Sequence, residues 1–214
     1  MDVNQAQKQL ILEQPLKKVM WKMSVPAIVA MVLYGLNAFM DTIYVGQLLN
    51  EEALAGAAIA YPLTGIMLGF GSWVGTGAGN YISILLGEND NDILAKVIPN
   101  ATLFTLIGTL IFAIPSYFFA EELIAFMGGS GAILKYGTLY LKITLLASPL
   151  WVYALQLNFI IRAEGKMKTA ATMMAYGLII NIILTPIFIY YMKMGVDGAA
   201  WATNIGMLIY CIIG

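Results

Sequence analysis

Long apolar runs, separated by short polar segments, dominate the hydropathy pattern of this chain. A helix needs roughly 20 apolar residues to cross the hydrocarbon of a bilayer, which is about 30 Å thick. Six runs are long enough, and they cover 21–49, 53–86, 93–119, 136–161, 169–192 and the stretch from Val196 onward. The pattern therefore predicts an all-α membrane protein, a six-transmembrane-helix bundle at 21–214 that follows a polar tail at 1–20.

Two shorter patterns add detail to this bundle. Gly71, Gly75 and Gly79 recur every fourth residue and so share one face of the second helix. A nucleotide-binding loop would need a preceding strand, which the apolar run does not offer, so we interpret the glycines as a surface for close helix packing. The stretch 120–127 is amphipathic, which is typical of a helix that lies along the membrane surface.

Composition supports the membrane assignment and excludes several classes of function. Hydrophobic residues make up 60% of the chain and charged residues 11%, whereas soluble domains carry about 25% charged residues. The net charge of −1 excludes a basic nucleic-acid binder. The chain has no histidine, which excludes histidine-ligated haem, HExxH zinc sites and Ser-His-Asp catalysis. We therefore expect a protein that is not an enzyme, has no cofactor and has the lipid bilayer as its partner.

The distribution of lysine and arginine predicts the orientation, because these residues are enriched in cytoplasmic loops. If the N-terminal tail is cytoplasmic, the inner segments contain eight of them and the outer segments three. No apolar stretch with a signal-peptide cleavage site follows residues 1–14. We therefore expect a multi-pass protein of the plasma membrane with a cytoplasmic N-terminus. The inner set is Lys8, Lys17, Lys18, Lys22, Lys96, Arg162, Lys166 and Lys168, and the outer set is Lys135, Lys142 and Lys193.

Asp41 is the most informative residue of the first helix. Apart from tyrosines, it is the only ionisable side chain between Lys22 and Glu51. A carboxylate inside a membrane costs at least about 2.5–3.5 kcal/mol and commonly marks an ion or substrate pathway. Helical spacing places Asn37 one turn before Asp41 and Tyr34 two turns before it. This polar stripe predicts a site that takes up H⁺ or Na⁺ on one side and releases it on the other. The alternative is a structural hydrogen bond between helices.

Further polar residues lie inside the later apolar runs. Each of them alone more often forms a hydrogen bond between helices than a ligand contact. Asn181 and Thr185 are four residues apart and share a face of the fifth helix, and Asn158 lies one turn before Arg162. Together with Asp41, these residues could line one cavity. The set is Gln156, Asn158, Asn181, Thr185, Thr203 and Asn204.

Four segments in succession resemble one known family. They are 37–46 (NAFMDTIYVG), 162–168 (RAEGKMK), 181–186 (NIILTP) and 195–203 (GVDGAAWAT). In order and spacing they are similar to the multidrug and toxic compound extrusion (MATE) family in its bacterial and archaeal branch. The resemblance implies a prokaryotic transporter of twelve helices in two six-helix lobes, of which this chain is the N-terminal lobe. It also implies export of drugs or organic cations in exchange for H⁺ or Na⁺.

The resemblance assigns roles to individual residues. Asp41 would bind the coupling ion, with Na⁺ held by Asp41, Asn181 and Thr203, and Asn158 would line the same cavity. The fifth-helix pattern of the family usually has an aspartate before the proline, whereas Thr185 precedes Pro186 here. A site with two carboxylates is therefore excluded in this lobe. Either Asp41 couples alone with neutral oxygen ligands or the coupling differs, and the choice between H⁺ and Na⁺ stays open.

Two other functions compete with efflux. A lipid-linked oligosaccharide flippase of the same superfamily would need a cationic cavity for its pyrophosphate, and the runs contain almost no lysine or arginine. A membrane scaffold that transports nothing would leave Asp41 unexplained. The chain ends inside the sixth run, so we expect a second six-helix lobe to follow and to share the substrate cavity. The identity of the substrate depends on both lobes.

Overall fold

A computed structural model describes residues 15–213, apart from the side chains of Met23, Ala30, Tyr34, Asn37 and Ala38. Every regular element in this part of the chain is helical. In order they are α1 (Leu16–Leu48), α2 (Glu51–Glu88), α3 (Asn91–Phe118), α4 (Ala120–Phe126), α5 (Gly131–Leu146), α6 (Ser148–Ala163), α7 (Met167–Pro186), a π-helical turn (Ile187–Tyr191) and α8 (Val196–Ile213).

Most of these helices are suited to a bilayer. In the range 15–213, four spans are long and apolar enough to cross it, namely α2, α3, α7 extended by its π-helical turn, and α8. A fifth span is obtained when α5 and α6 are counted as one bent span. The remaining long helix, α1, has 33 residues and exposes apolar side chains such as Trp21 and Phe39. The helices follow one another in the predicted order, and the predicted all-α membrane fold is confirmed.

The fourth predicted span differs from the expectation of one continuous helix at 136–161. In the structure this span consists of α5 and α6 together. It begins earlier than predicted, at Gly131, and is bent by 57° at Ala147, between the two helices. The cause is Pro149, which has no N–H to donate to the carbonyl of Leu145. The hydroxyl of Ser148 donates to that carbonyl instead, at 2.7 Å. The Leu145 carbonyl therefore keeps a hydrogen-bond donor, and the bend carries no energetic penalty for an unpaired buried carbonyl.

The short helix α4 has the predicted amphipathic character. Ala120 and Ile124 are fully buried and pack in the same apolar cluster as Leu141. Phe126, on the other side, is 90% exposed. This arrangement suits a helix at the membrane surface, where an aromatic side chain contacts lipid while the other face packs on the bundle. Its location at the surface stays a prediction.

The predicted packing face of α2 is confirmed. A Cβ atom on Gly71 would lie 2.8 Å from the Val152 side chain, and one on Gly75 would lie 2.8 Å from the Phe159 ring. On Gly79 it would lie 3.3 Å from the Phe159 carbonyl. The three glycines therefore let α2 approach α6 more closely than any side chain would allow.

Replacement of Gly75 by valine should destabilise the protein. The added atoms overlap Phe159 and the α6 backbone, and overpacking of this kind costs about 1–3 kcal/mol. Gly77, two residues away, has nothing within 4 Å of an added Cβ and provides the matched control. Thermal unfolding of the purified protein in detergent should show a lower midpoint for Gly75→Val and an unchanged one for Gly77→Val. Equal midpoints would contradict the packing role.

Candidate functional site

A hydrogen bond joins Asp41 of α1 to Thr185 of α7. The Thr185 hydroxyl lies 3.2 Å from Asp41 Oδ1 and 2.9 Å from the carbonyl oxygen of Asn181. A hydroxyl has one proton to donate, so the two acceptors share it or alternate. Thr185 is completely buried and Asp41 is half-buried. The contact thus connects the first helix to the fifth span through the one carboxylate inside α1.

Asn181 extends this contact to α8. Its Nδ2 donates to the Thr203 hydroxyl at 3.0 Å, and that hydroxyl donates to the Ala199 carbonyl at 3.1 Å. The other amide atom, Asn181 Oδ1, is buried and has no hydrogen-bond partner among the described residues. Buried acceptors without a partner are uncommon in proteins. A carboxylate, a free amide oxygen and two hydroxyls therefore lie close together, and such oxygens are the ligands that hard cations prefer.

Two glycines bring the helices of this network together. A Cβ on Gly177 would lie 2.9 Å from the Gly206 carbonyl, and one on Gly206 would lie 2.7 Å from the Gly177 carbonyl. The Cβ added to Gly206 would also lie 3.2 Å from the Asn181 Cβ. The backbones of α7 and α8 are therefore in direct contact beside Asn181, which allows its short side chain to reach Thr203.

Gly206→Val should break this contact. The side chain would push α8 away from α7, and we expect an unfolding midpoint lower by an amount that corresponds to about 1–3 kcal/mol. Gly65→Val on α2, where an added Cβ meets nothing within 4 Å, is the control. A cysteine pair at positions 181 and 203 should cross-link less readily in the Gly206→Val background. Unchanged cross-linking would show that the glycines do not determine the distance between positions 181 and 203.

A cavity of about 700 Å³ borders this network. Asp41 and Thr203 are among the residues that line it, and most of the rest of its wall is apolar or aromatic. Arg162 is the one basic residue that lines it among the described residues. The aromatic part of the wall consists of Tyr61, Tyr140, Trp151, Phe159 and Tyr210. A cavity of this size and lining suits a drug-sized organic molecule.

The predicted site residues fall into two groups. Asp41, Thr185, Asn181 and Thr203 form the hydrogen-bonded network, with Asn181 and Thr185 buried behind the cavity wall. Asn158 lines the cavity elsewhere. The side chains of Tyr34 and Asn37, the remaining two predicted residues, lie outside the part of the chain that the structure describes.

Asn158 belongs to a second polar group. Its Nδ2 donates to the Tyr210 hydroxyl at 3.0 Å and to the Ala170 carbonyl at 3.3 Å. Tyr210 follows Thr203 by seven residues, which corresponds to about 10 Å along α8. The cavity therefore has polar groups near Asp41 and again near Asn158. Of the other predicted polar residues, Asn204 donates to the Ile143 carbonyl at 3.2 Å, and Gln156 is buried with neither amide atom paired among the described residues.

Two further residues, Arg162 and Tyr210, line the cavity but are not among the predicted site residues. The spacing that places Arg162 one turn after Asn158 puts both on one face of α6, and this is the signal in the sequence that could have identified it. Tyr210 gave no signal, because a tyrosine near the end of an apolar run is common in membrane helices.

Comparison with known proteins identifies several relatives. The MatE family model matches residues 26–187. The multidrug export protein MepA of Staphylococcus haemolyticus is 30% identical over 194 residues, which cover 90% of this chain and 43% of that protein. MepA of Staphylococcus aureus is 28% identical over 205 residues, or 94% of this chain and 45% of that protein. The chain thus spans less than half the length of these curated relatives.

Solved structures agree in fold. A MATE crystal structure in the straight conformation superimposes with a TM-score of 0.85 at 27% identity, over 92% of this chain and 43% of that one. The outward-facing conformation of a multidrug resistance MATE family transporter of the MOP superfamily gives a TM-score of 0.84 at 29% identity, over 96% of this chain and 45% of that one. The helical bundle described above therefore corresponds to somewhat less than half of each of these chains.

Proposed function

Because the chain belongs to the MatE family, we propose that it forms one six-helix lobe of a secondary transporter that exports drugs or organic cations in exchange for H⁺ or Na⁺. The second lobe would complete the cavity, since the relatives are more than twice as long as the part that this chain matches. The transporter would lie in a prokaryotic plasma membrane with the N-terminus of this chain in the cytoplasm.

The observation that carries this proposal is the position of Asp41. Its carboxylate lies on the wall of a largely apolar cavity, where a negative charge attracts a cation far more strongly than it would in water. An organic cation in the cavity and a small ion at the carboxylate would each neutralise the same charge. Their binding would therefore be mutually exclusive, and mutually exclusive binding of two solutes is the requirement for exchange.

The coupling ion would be held by Asp41 with neutral oxygen ligands. Thr185 supplies a hydroxyl where the family pattern has a second carboxylate, so the site carries one negative charge and would bind one monovalent ion. Asn181 Oδ1, which has no partner among the described residues, and the Thr203 hydroxyl would complete a Na⁺ site. For H⁺, Asp41 alone suffices. Both ions remain candidates, and we propose exchange against either one.

The cavity favours transport over the competing functions. A scaffold has no use for a cavity of about 700 Å³ that contains an acidic group. A flippase for a lipid-linked pyrophosphate would need several cationic residues, and the described part of the cavity wall offers only Arg162.

Transport driven by separate gradients tests the proposal. The protein expressed from its complete reading frame would be reconstituted in vesicles, and movement of ethidium would be followed by its fluorescence. We expect movement against its gradient when either a pH gradient or a Na⁺ gradient is imposed alone, and the effective gradient identifies the ion. An ionophore that collapses that gradient should stop the movement. Equal ethidium movement with no gradient, or none under both, would contradict the proposal.

A further inference from the structure

Arg162 places an unpaired positive charge on the cavity wall. It lies in the last turn of α6, is half-buried and follows Asn158 by one turn. The one salt bridge among residues 15–213 joins Lys166 to Glu164 at 2.7 Å, so the nearby acid already has a partner. The guanidinium therefore has no carboxylate partner within the described part of the chain. A half-buried cation that faces a cavity without a counter-ion is available to an anionic ligand.

The positive charge is well separated from Asp41. Asp41 belongs to the network that includes Thr203, whereas Arg162 adjoins the pair of Asn158 and Tyr210. About 10 Å of α8 lies between Thr203 and Tyr210. The cavity therefore contains an acidic group and a basic group that do not neutralise each other.

Aromatic rings line the space that contains these two charges. Phe159 lies on α6 together with Asn158 and Arg162, and Trp151 lies earlier on the same helix. Tyr210 lies on α8 and is hydrogen-bonded to Asn158. Aromatic faces attract delocalised cations and stack on planar rings. A planar cationic ring system can therefore lie against this wall while a substituent reaches the guanidinium.

We propose that Arg162 allows this cavity to accept zwitterionic substrates, whose carboxylate pairs with Arg162 while their cationic aromatic part lies against the aromatic wall. This inference rests on the proposed efflux function and specifies its substrate class. A guanidinium matches a carboxylate with two parallel hydrogen bonds. Transfer of a carboxylate from water to an apolar cavity is unfavourable without such a partner. Arg162 therefore determines whether an anionic substituent is accepted.

Two dyes with the same ring system test the inference. Rhodamine 110 carries a free carboxylate beside its cationic rings, and rhodamine 123 is its methyl ester and carries only the positive charge. Efflux of each dye from cells that express the complete protein is measured for the wild type, Arg162→Gln, Arg162→Lys and Lys168→Gln. Lys168 is an exposed cation at the start of α7 that does not line the cavity, and it serves as the matched control.

The expected result is a selective loss. Arg162→Gln removes the positive charge and the paired hydrogen bonds to the carboxylate, so it should reduce rhodamine 110 efflux by about tenfold or more. Rhodamine 123 efflux should change by less than about twofold. Arg162→Lys should be intermediate for rhodamine 110, because lysine keeps the charge but not the paired hydrogen bonds. Lys168→Gln should export both dyes like the wild type.

Other outcomes overturn the inference. Unchanged export of rhodamine 110 by Arg162→Gln, or equal loss of both dyes in Arg162→Gln and Arg162→Lys, would show that Arg162 does not select the substrate. A wild type that exports rhodamine 123 but not rhodamine 110 would overturn the inference and leave the proposed function intact. Export of neither dye by the wild type would overturn both.

Discussion

Asp41→Asn is expected to reduce coupled export to the level of empty vesicles, with normal amounts of protein in the membrane. Asparagine has nearly the same volume and keeps one acceptor oxygen for Thr185, so the bond between α1 and α7 at 3.2 Å can persist. It can neither carry a negative charge nor take up a proton at neutral pH. Exchange against H⁺ or Na⁺ would therefore fail for the same reason. The measurement is ethidium movement in reconstituted vesicles under an imposed ion gradient.

A second carboxylate of the bundle provides the control for this change. Asp197, in the first turn of α8, is also half-buried but does not line the cavity. Asp197→Asn makes the same chemical change away from the proposed ion site and should retain most of the export. If Asp41→Asn exported ethidium at the wild-type rate under the same gradient, Asp41 would be no more than a structural contact between helices.

The order of the helices and their contact face on α2 follow from local patterns. A run of apolar residues long enough to cross a bilayer is recognisable without knowledge of its neighbours, and the spacing of Gly71, Gly75 and Gly79 defines a face by helix geometry alone. The prediction of a functional role for Asp41 rests on the cost of a charge in hydrocarbon, which can be recognised at that position without knowledge of its contacts. These features depend on residues close together in the sequence.

Contacts between residues that are far apart in the sequence are harder to predict from the sequence. Asp41 and Thr185 are separated by 144 positions, and no periodicity within either helix determines which pair will meet. The contact of Gly177 with Gly206 positions Asn181 against Thr203, yet isolated glycines in membrane helices are too common to predict a contact. A family resemblance supplied the grouping of these residues, and the packing of α7 on α8 supplies its physical reason.

The bend between α5 and α6 illustrates a different limit. Pro149 was visible in the sequence, but a proline inside a membrane helix produces anything from a slight kink to a full break. The outcome depends on whether another donor replaces its missing N–H. Here Ser148 does so through the Leu145 carbonyl, and the two helices turn by 57°. The helix that follows this bend, α6, bears Asn158 and Arg162, which both line the cavity.

Thr185→Val should raise the affinity for the coupling ion and lower the maximal rate of transport. Valine has nearly the same shape as threonine but cannot donate to Asp41, and a hydrogen bond to a charged group contributes about 1.5–3 kcal/mol. In the wild type the Thr185 hydroxyl donates to the Asp41 carboxylate, so at the proposed site this bond would compete with the coupling ion. Without it, Asp41 should hold the ion more tightly and release it more slowly. We expect half-maximal export at a roughly tenfold lower concentration of the coupling ion, together with a lower maximal rate.

Thr185→Ser tests whether the hydroxyl is responsible. Serine keeps the hydroxyl donor, so Thr185→Ser should have the ion affinity and transport rate of the wild type. If Thr185 acted only through its shape, the smaller serine would not preserve them. The hydroxyl also lies 2.9 Å from the Asn181 carbonyl, so its proton can turn away from Asp41 when an ion arrives. If Thr185→Val instead needed a higher ion concentration, the hydroxyl oxygen would be a direct ligand of the ion. Such a result would favour Na⁺, because a proton on Asp41 needs no second oxygen ligand.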